Sequence, residues 1–412
     1  MRRVWANRTY RHLLTAQVVA LVGTGLLTVA LGLLAYDLAP RSASAVLGAA
    51  LTIKIAAYVV VSPLVATVAE PVPRRVLLVG ADVVRAGVAL LLPFVDAVWQ
   101  VYVLVVVLQA ASATFTPAFQ AVIPAVLPDE RDYTRALSLS RLAYDLESLL
   151  SPVLAGLLLT VVSYHGLFVG TVAGFVASAL LVVTTRLPDV PVPPREERFA
   201  SRVTRGTRTF WAVPQLRALL ALDLVVAAAT ALVLVDTVVV VRQLLGRDDS
   251  AVAAALAAYG TGSMIVALAL PRVLDRVAER TVMMPAAAVL VVGVAVSGPL
   301  LAVVPASSWP LVLVLWAVLG AATSAVLTPS ARLLRRHSRE AERPAVFAAQ
   351  FSLSHACYLI TYPVAGWVGA AAGVPVAALL LAAVGAVGLA VAAVSWPAAG
   401  SSAPSRAAAA AH

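Results

Sequence analysis

Six side chains have types that could do chemistry inside otherwise apolar segments: Lys54, Asp145, Glu147, Asp223, His355 and Cys357. Lys54 is the only lysine and Cys357 the only cysteine in the chain. A charge in a long apolar helix is costly and is kept where it pairs, carries a proton or meets a substrate. Lys54 lies about ten residues into its segment, roughly 15 Å deep at 1.5 Å per residue. An ammonium there needs a partner or loses its proton. Glu147 or Asp145 would supply that partner, and a substrate is the alternative. Glu147 has no partner on its own helix and is the first proton-coupling candidate; Asp223 is the second. Asp145 shares a helix face with Arg141, which suits a structural pair and leaves it a third candidate. Imidazole and thiolate suit nickel, cobalt or zinc, so His355 and Cys357 with Asp145 and Glu147 form a candidate metal set. Positions 355 and 357 are roughly 200° apart around a helix, so a packed cysteine and a hydrogen-bonded histidine are the plainer reading.

Other polar residues invite weaker readings. Gln17, Thr24, Gln109, Thr114 and Gln120 offer neutral groups to a substrate, or polar glue between helices. Asp82 and Arg85, three apart, suit an internal pair. Asp236 lies near the outer end of its segment, where Arg242 could pair with it, and a gate or a plain structural pair is an equal reading.

The elements that hold these residues are membrane helices. The composition is 61% hydrophobic and 12% charged, where soluble domains carry roughly a quarter charged residues. Twelve segments reach the length a bilayer needs: about 12–36, 44–69, 76–95, 99–124, 137–163, 166–186, 216–241, 250–271, 281–304, 309–331, 345–370 and 375–396. The first is long enough to stay as a spanning helix and shows no signal-peptide cleavage site. Arginine clusters before the first segment, between the second and third, before the fifth, across 195–208 and after the eighth and tenth; the opposite loops offer Arg41, Arg242 and Arg247. The positive-inside rule then places both termini in the cytoplasm, with the chain in the cell's inner (plasma) membrane. The net charge of +10 is topological on this reading, and nucleic acid is not an expected partner. Residues 1–186 and 216–396 form two halves, 187–215 is a proline-rich then basic cytoplasmic linker, read as solvated and setting topology, with an interfacial helix on anionic lipid as the alternative, and 397–412 is a low-complexity tail expected to be disordered.

The halves echo each other. Thr116-Pro117 recurs as Thr328-Pro329, and Ser151-Pro152-Val153-Leu154-Ala155-Gly156 recurs as Tyr362-Pro363-Val364-Ala365-Gly366, with spacings that differ by a single residue. Such a repeat is the plan of two homologous halves. By its offset Tyr144, Asp145 and Glu147 match His355, Ala356 and Tyr358.

This pattern resembles the major facilitator superfamily across essentially the whole chain. The family's loop motif, Gly-x-x-x-Asp-Arg-x-Gly-Arg-Arg/Lys, is matched loosely by Ala66-Thr-Val-Ala-Glu70-Pro71-Val-Pro73-Arg74-Arg75 and by Pro271-Arg-Val-Leu-Asp275-Arg276-Val-Ala-Glu279-Arg280. The resemblance makes Glu70, Arg74, Arg75, Asp275, Arg276 and Arg280 a conformational latch, though three positions of the first copy depart from the motif. The run Glu147-Ser-Leu-Leu-Ser151-Pro152-Val-Leu-Ala155-Gly156 resembles the family's antiporter motif, with a glutamate in place of its first glycine. Ser151, Pro152 and Gly156 would then form a hinge in helix five. The run from Ala136 to Pro152, and Ala20-Leu-Val-Gly23-Thr-Gly25, are similar to exporters of the transmembrane secretion-effector type and to a nickel-resistance subgroup. The resemblance implies an all-α membrane protein, twelve transmembrane helices in two pseudo-symmetric six-helix bundles, with helices two and eleven facing each other and helix seven lining the cavity. Lys54, His355 and Tyr358 would then share one depth and line a substrate site with Gln17, Gln109 and Gln120.

The expectation is a secondary active efflux transporter, a proton-coupled antiporter of a drug, siderophore or similar small molecule, working by alternating access as a monomer. A nickel or cobalt exporter on the same scaffold is the alternative; a non-transporting membrane subunit is the alternative of another class. No nucleotide-binding loop of the type Gly-x-x-x-x-Gly-Lys-Ser/Thr is present, so the proton gradient and not ATP is the expected driving force, with no cofactor. No arranged nucleophile and base marks an enzyme.

Overall fold

The structure, a computed structural model, describes residues 6–68, 72–129, 132, 136, 139–140, 143, 147, 151, 153–185, 187, 207–303, 308–338 and 343–396. Among them there is no strand, and nine helices are long and apolar enough to cross a membrane. A bilayer offers no hydrogen bonds, so a spanning backbone must satisfy itself as a helix. The first half contains α1 (Arg8–Leu38), α2 (Ala43–Val68), α3 (Arg74–Leu91), α4 (Val98–Val126), α5 (the helical positions between 132 and 159) and α6 (Tyr164–Thr184). The second contains α7 (Pro214–Leu244), α8 (Asp249–Leu274), α9 (Glu279–Val303), α10 (Trp309–Arg336), α11 (343–372) and α12 (Val374–Ser395). The described residues of the twelve expected segments are helical over most of their length. The greater part of the expected linker, 188–206, and the tail 397–412 lie outside the described residues.

Local chemistry shapes the ends and the irregular turns. Asp248 caps α8 by accepting from the Ala251 amide at 3.0 Å. Asn7 caps α1 in the same way through Tyr10 N. A single residue, Gly373, joins α11 to α12 at φ +89°, a backbone state that L side chains rarely adopt. Pro363 in α11 lacks the amide an α-helix needs, and the π-helical turn Val364–Val368 follows it directly. Helix α7 has two π-helical turns, Leu232–Asp236 and Val240–Leu244.

The repeat is visible in how helices pair. In the first half α1 packs on α6, α2 on α4, and α3 on both α4 and α6. In the second half α7 packs on α12, α8 on α10, and α9 on both α10 and α12. Each pairing is the other shifted by six helices. Small residues permit the closest approaches, because helices in lipid associate by packing. At α8–α10, Gly262 lies against the Ala317 carbonyl and Gly320 against the Tyr259 carbonyl.

Odd-numbered helices begin on one side of the bundle, here the terminal face, and even-numbered helices on the opposite, far face. The halves meet toward the far face. A Cβ on Gly48 of α2 would lie 2.8 Å from the Gly366 Cα of α11. A Cβ on Gly156 of α5 would lie 3.3 Å from the Ala253 Cβ of α8. Gly156 and Gly366 are the last residues of the two sequence echoes, and each touches the opposite half. Gly32 of α1 meets Val238 of α7 in the same layer.

Candidate functional site

Glu147 is placed by a glycine. The position a Cβ would take on Gly25 of α1 is filled by the Ser151 side chain, and Glu147 Oε1 is 3.2 Å from it. The absence of that Cβ lets α5 lay Glu147 and Ser151 across α1. Lys54 of α2 is the cation within electrostatic range of the Glu147 carboxylate. The expected partner of Lys54 is therefore Glu147, within the first half. Asp145, the alternative partner and metal ligand, lies outside the described residues, as do Glu70 and Pro152.

The second half carries the matching cluster. Asp223 of α7 is 3% exposed and accepts from Gln350 Nε2 of α11 at 2.8 Å. Cys357 and Tyr358 lie in its electrostatic range. Tyr358 bonds Thr230 of α7, which is 3.4 Å from the Tyr259 hydroxyl of α8, and Tyr259 donates to Thr323 of α10 at 3.2 Å. One network thus ties four helices. Glu147 and Tyr358, matched by the repeat, occupy matched places: α5 against α1, and α11 against α7.

Along α11 the rings form a ladder. Centroids are 4.1 Å apart for Phe351–His355, 6.2 Å for His355–Tyr358 and 4.9 Å for Tyr358–Tyr362. Spacings of four, three and four residues keep the ladder on one face. His355 Nδ1 is 2.7 Å from the Phe351 carbonyl of its own helix. Cys357 is buried, with its thiol directed to the Leu353 carbonyl at 3.5 Å. The two side chains part as the helix period predicts. Among the described residues no group of three His, Cys, Asp or Glu could hold a metal ion.

Several other expected site residues make contacts within the first half. Gln17 is 2% exposed and accepts from Ser140 of α5 at 3.0 Å, which joins two helices of one half. Gln109 is buried, and the Gln120 side chain lies outside the described part. Thr24 and Thr114 donate to their own helices, at Ala20 and Ala110. Asp82 pairs with Arg85 as its spacing predicts, and accepts from Ser178 of α6 at 2.7 Å. The Arg85 guanidinium lies over the Phe115 and Phe175 rings, 4.4 and 4.6 Å from their centroids.

Two pairings differ from expectation. Arg242 pairs with Asp249 at 3.1 Å and sits 5.3 Å from the Tyr36 ring centroid, not with Asp236. Asp236 instead accepts from Ser44 of α2 at 2.6 Å, across the two halves. At the terminal face Asp275 and Arg276 are exposed, Arg280 is partly buried, and Arg74 and Arg75 are partly and fully exposed. The buried acid there is Glu279, held by Arg332 and Arg336 of α10 at 3.1 and 3.0 Å. Sequence reasoning passed over Glu279, Gln350 and Ser44. The basic cluster at 332–336 was a signal for the first; polar residues at helical spacing gave none for the others.

The model of the major facilitator superfamily matches the chain over residues 13–298 and again over 225–411. Macrolide efflux protein A of Streptococcus pyogenes is 26% identical over 178 residues, 42% of this chain and 43% of that protein. The protein of the same name from Enterococcus faecalis is 26% identical over 136 residues, 32% of this chain and 42% of its own. The chain thus spans less than half the length of these curated relatives. Among solved structures, a mutant of the nucleoside transporter NupG superposes with a TM-score of 0.74 at 13% identity, covering 95% of this chain and all of that one. A bacterial homolog of the human lysosomal transporter Spinster, inward-facing and unoccupied, gives 0.68 at 12% identity, covering 94% and 97%. At these identities the likeness is one of fold.

Proposed function

The chain belongs to the major facilitator superfamily and is a multi-pass membrane transport protein, not an enzyme; from that premise we propose that it is a proton-coupled exporter of amphipathic organic molecules. The observation that carries this reading is an intramembrane carboxylate in each half, Glu147 half-buried and Asp223 buried, together with a packed far face. Glu147 lies against α1 with Lys54 as its cation, and Asp223 lies against α11 with Gln350 as its donor. Each is in a different half, near helices that meet across the halves. A carboxylate in such a place exchanges its polar contacts for a proton or for a cationic substrate as the cavity rearranges. The aromatic ladder of α11 suits a ligand with broad apolar faces, which rings contact at low entropic cost. The name of the macrolide relatives points the same way.

The arginine pattern makes the terminal face cytoplasmic, in the plasma membrane. The packed far face suits a state that loads from the cytoplasm, as an exporter does. Membrane lipid and the organic substrate are the partners, a monomer suffices, and the proton gradient replaces any cofactor. Glu279, held by Arg332 and Arg336, ties two helices of the second half beside the expected latch residues Asp275, Arg276 and Arg280. The test is reconstitution in proteoliposomes with an imposed pH gradient. Macrolide-driven proton movement that disappears in Glu147→Gln and Asp223→Asn supports the reading. Macrolide flux that ignores the gradient, or proton movement driven by nickel or cobalt alone, overturns it.

A further inference from the structure

We infer that Asp236 is a proton site that locks the far face: the face closes on the protonated acid and is driven open by the carboxylate. This rests on the alternating-access reading above, and it assigns a role to a residue outside both carboxylate clusters. Asp236 is 0% exposed and ends the first π-helical turn of α7. Such turns concentrate at functional positions in helices. Its Oδ1 accepts from Ser44 of the other half at 2.6 Å, and its Oδ2 has no hydrogen-bond partner. The wall opposite is a glycine, because a Cβ on Gly369 would lie 2.9 Å from Oδ1.

Among the described residues the surroundings contain no counter-charge. Helix α12, packed on this turn, has no ionisable residue. Helix α2 offers Lys54, ten positions beyond Ser44 and beside Glu147; Arg41 lies in the turn before α2. Helix α11 offers His355, Cys357, Tyr358 and Tyr362, the rings stacked on one another and the thiol directed at its own backbone. Helix α7 itself offers Asp223, bonded to Gln350, and Arg242, engaged with Asp249 and Tyr36. Asp37 of α1 and Asp249 of α8 are acids and give Asp236 no cation. Among the described residues the one polar group acting on Asp236 is Ser44.

An ionised carboxylate sealed in apolar surroundings without a cation is strongly disfavoured, while the neutral acid is tolerated. The seal exists only while the halves touch, because Ser44 and Gly369 belong to the two helices that cross there. Opening the far face gives Asp236 water, so ionisation and opening favour each other. Acid on the far side therefore shuts the face, which is the direction that returns an exporter to its loading state.

The experiment is a distance measurement on the full-length protein in lipid nanodiscs, without substrate. Spin labels are placed at Arg41→Cys and Gln243→Cys, exposed positions at the far ends of the two halves, in a Cys357→Ser background, and pH is varied from about 5 to about 9, a span that brackets shifted carboxyl titrations. The expected result is a short distance in acid and a growing longer population as pH rises. Asp236→Asn stays short throughout. Ser44→Ala, which weakens only the closed state, moves the opening to lower pH. If Asp236→Asn opens on the parent curve, if Ser44→Ala leaves that curve unmoved, or if the parent distance ignores pH, the inference is overturned. The measurement involves no transport, so its failure leaves the exporter reading standing; a normal gate with no macrolide flux counts against the exporter reading alone.

Discussion

Lys54 and Glu147 divide one problem between them. Each would be an isolated charge in an apolar helix, and each is the other's nearest relief. Replacing Glu147 with glutamine strips Lys54 of its cation-binding partner and removes a proton carrier together. Gradient-driven efflux of a macrolide should fall by about a hundredfold or more, the scale at which a positioned proton carrier matters, while ligand binding measured by fluorescence persists. The Asp82–Arg85 pair has the opposite character. Its members are buried, contact Ser178 and two aromatic faces, and belong to one half. Asp82→Ala leaves Arg85 uncompensated and should cost about 3–5 kcal/mol, seen as a large fall in thermal midpoint in detergent. A matched loss of efflux per folded molecule would contradict this structural role. The spacing of Asp82 and Arg85 made their pair readable in advance. The Asp236–Ser44 bond was not readable, because its partners are 192 positions apart and serine carries no sequence signal of its own.

Helix boundaries follow local rules. The α8 start illustrates this: Asp248 takes hydrogen bonds from Ser250 and Ala251, and these hold its carboxyl below the usual carboxylate range. A lowered folded value means the cap stabilises above the unfolded range and fades as pH falls through the folded one. Asp248→Ala should therefore lower stability by about 1 kcal/mol at neutral pH, and by less in strong acid, measured as the shift in melting temperature. The α2–α11 crossing is the tightest constraint between halves. Gly48→Ala would bring its methyl 2.8 Å from Gly366 Cα and 2.9 Å from the Tyr362 carbonyl. Backbone there has no room to yield, so the far face should part and a cysteine at Gln243 should react faster with an impermeant maleimide. The small residues at these crossings were legible as packing residues, and the repeat matched Gly156 with Gly366. That each touches the opposite half depended on the angle between bundles.

On the scale of the whole molecule, the six-helix shift relating the two sets of pairings is the strongest statement of the architecture. It makes each half a unit packed by the same set of helix pairings. Sidedness has a direct check: a tag at the N-terminus should be cleaved by protease only when the cytoplasmic side is exposed. The sequence alone determined the membrane class, the number of spanning helices, the doubling and the family, because these rest on hydropathy, arginine bias and repeat spacing, which are properties of the chain read in order. It also marked Glu147, Lys54 and Asp223 as the charges to explain, since burial cost depends on segment depth. The tertiary structure decided the partners. It gave Glu147 to Lys54, Asp223 to Gln350, Glu279 to Arg332 and Arg336, and Asp236 to Ser44. Those choices turn on rotation of each helix about its axis and on which helices cross, and packing of distant segments sets both.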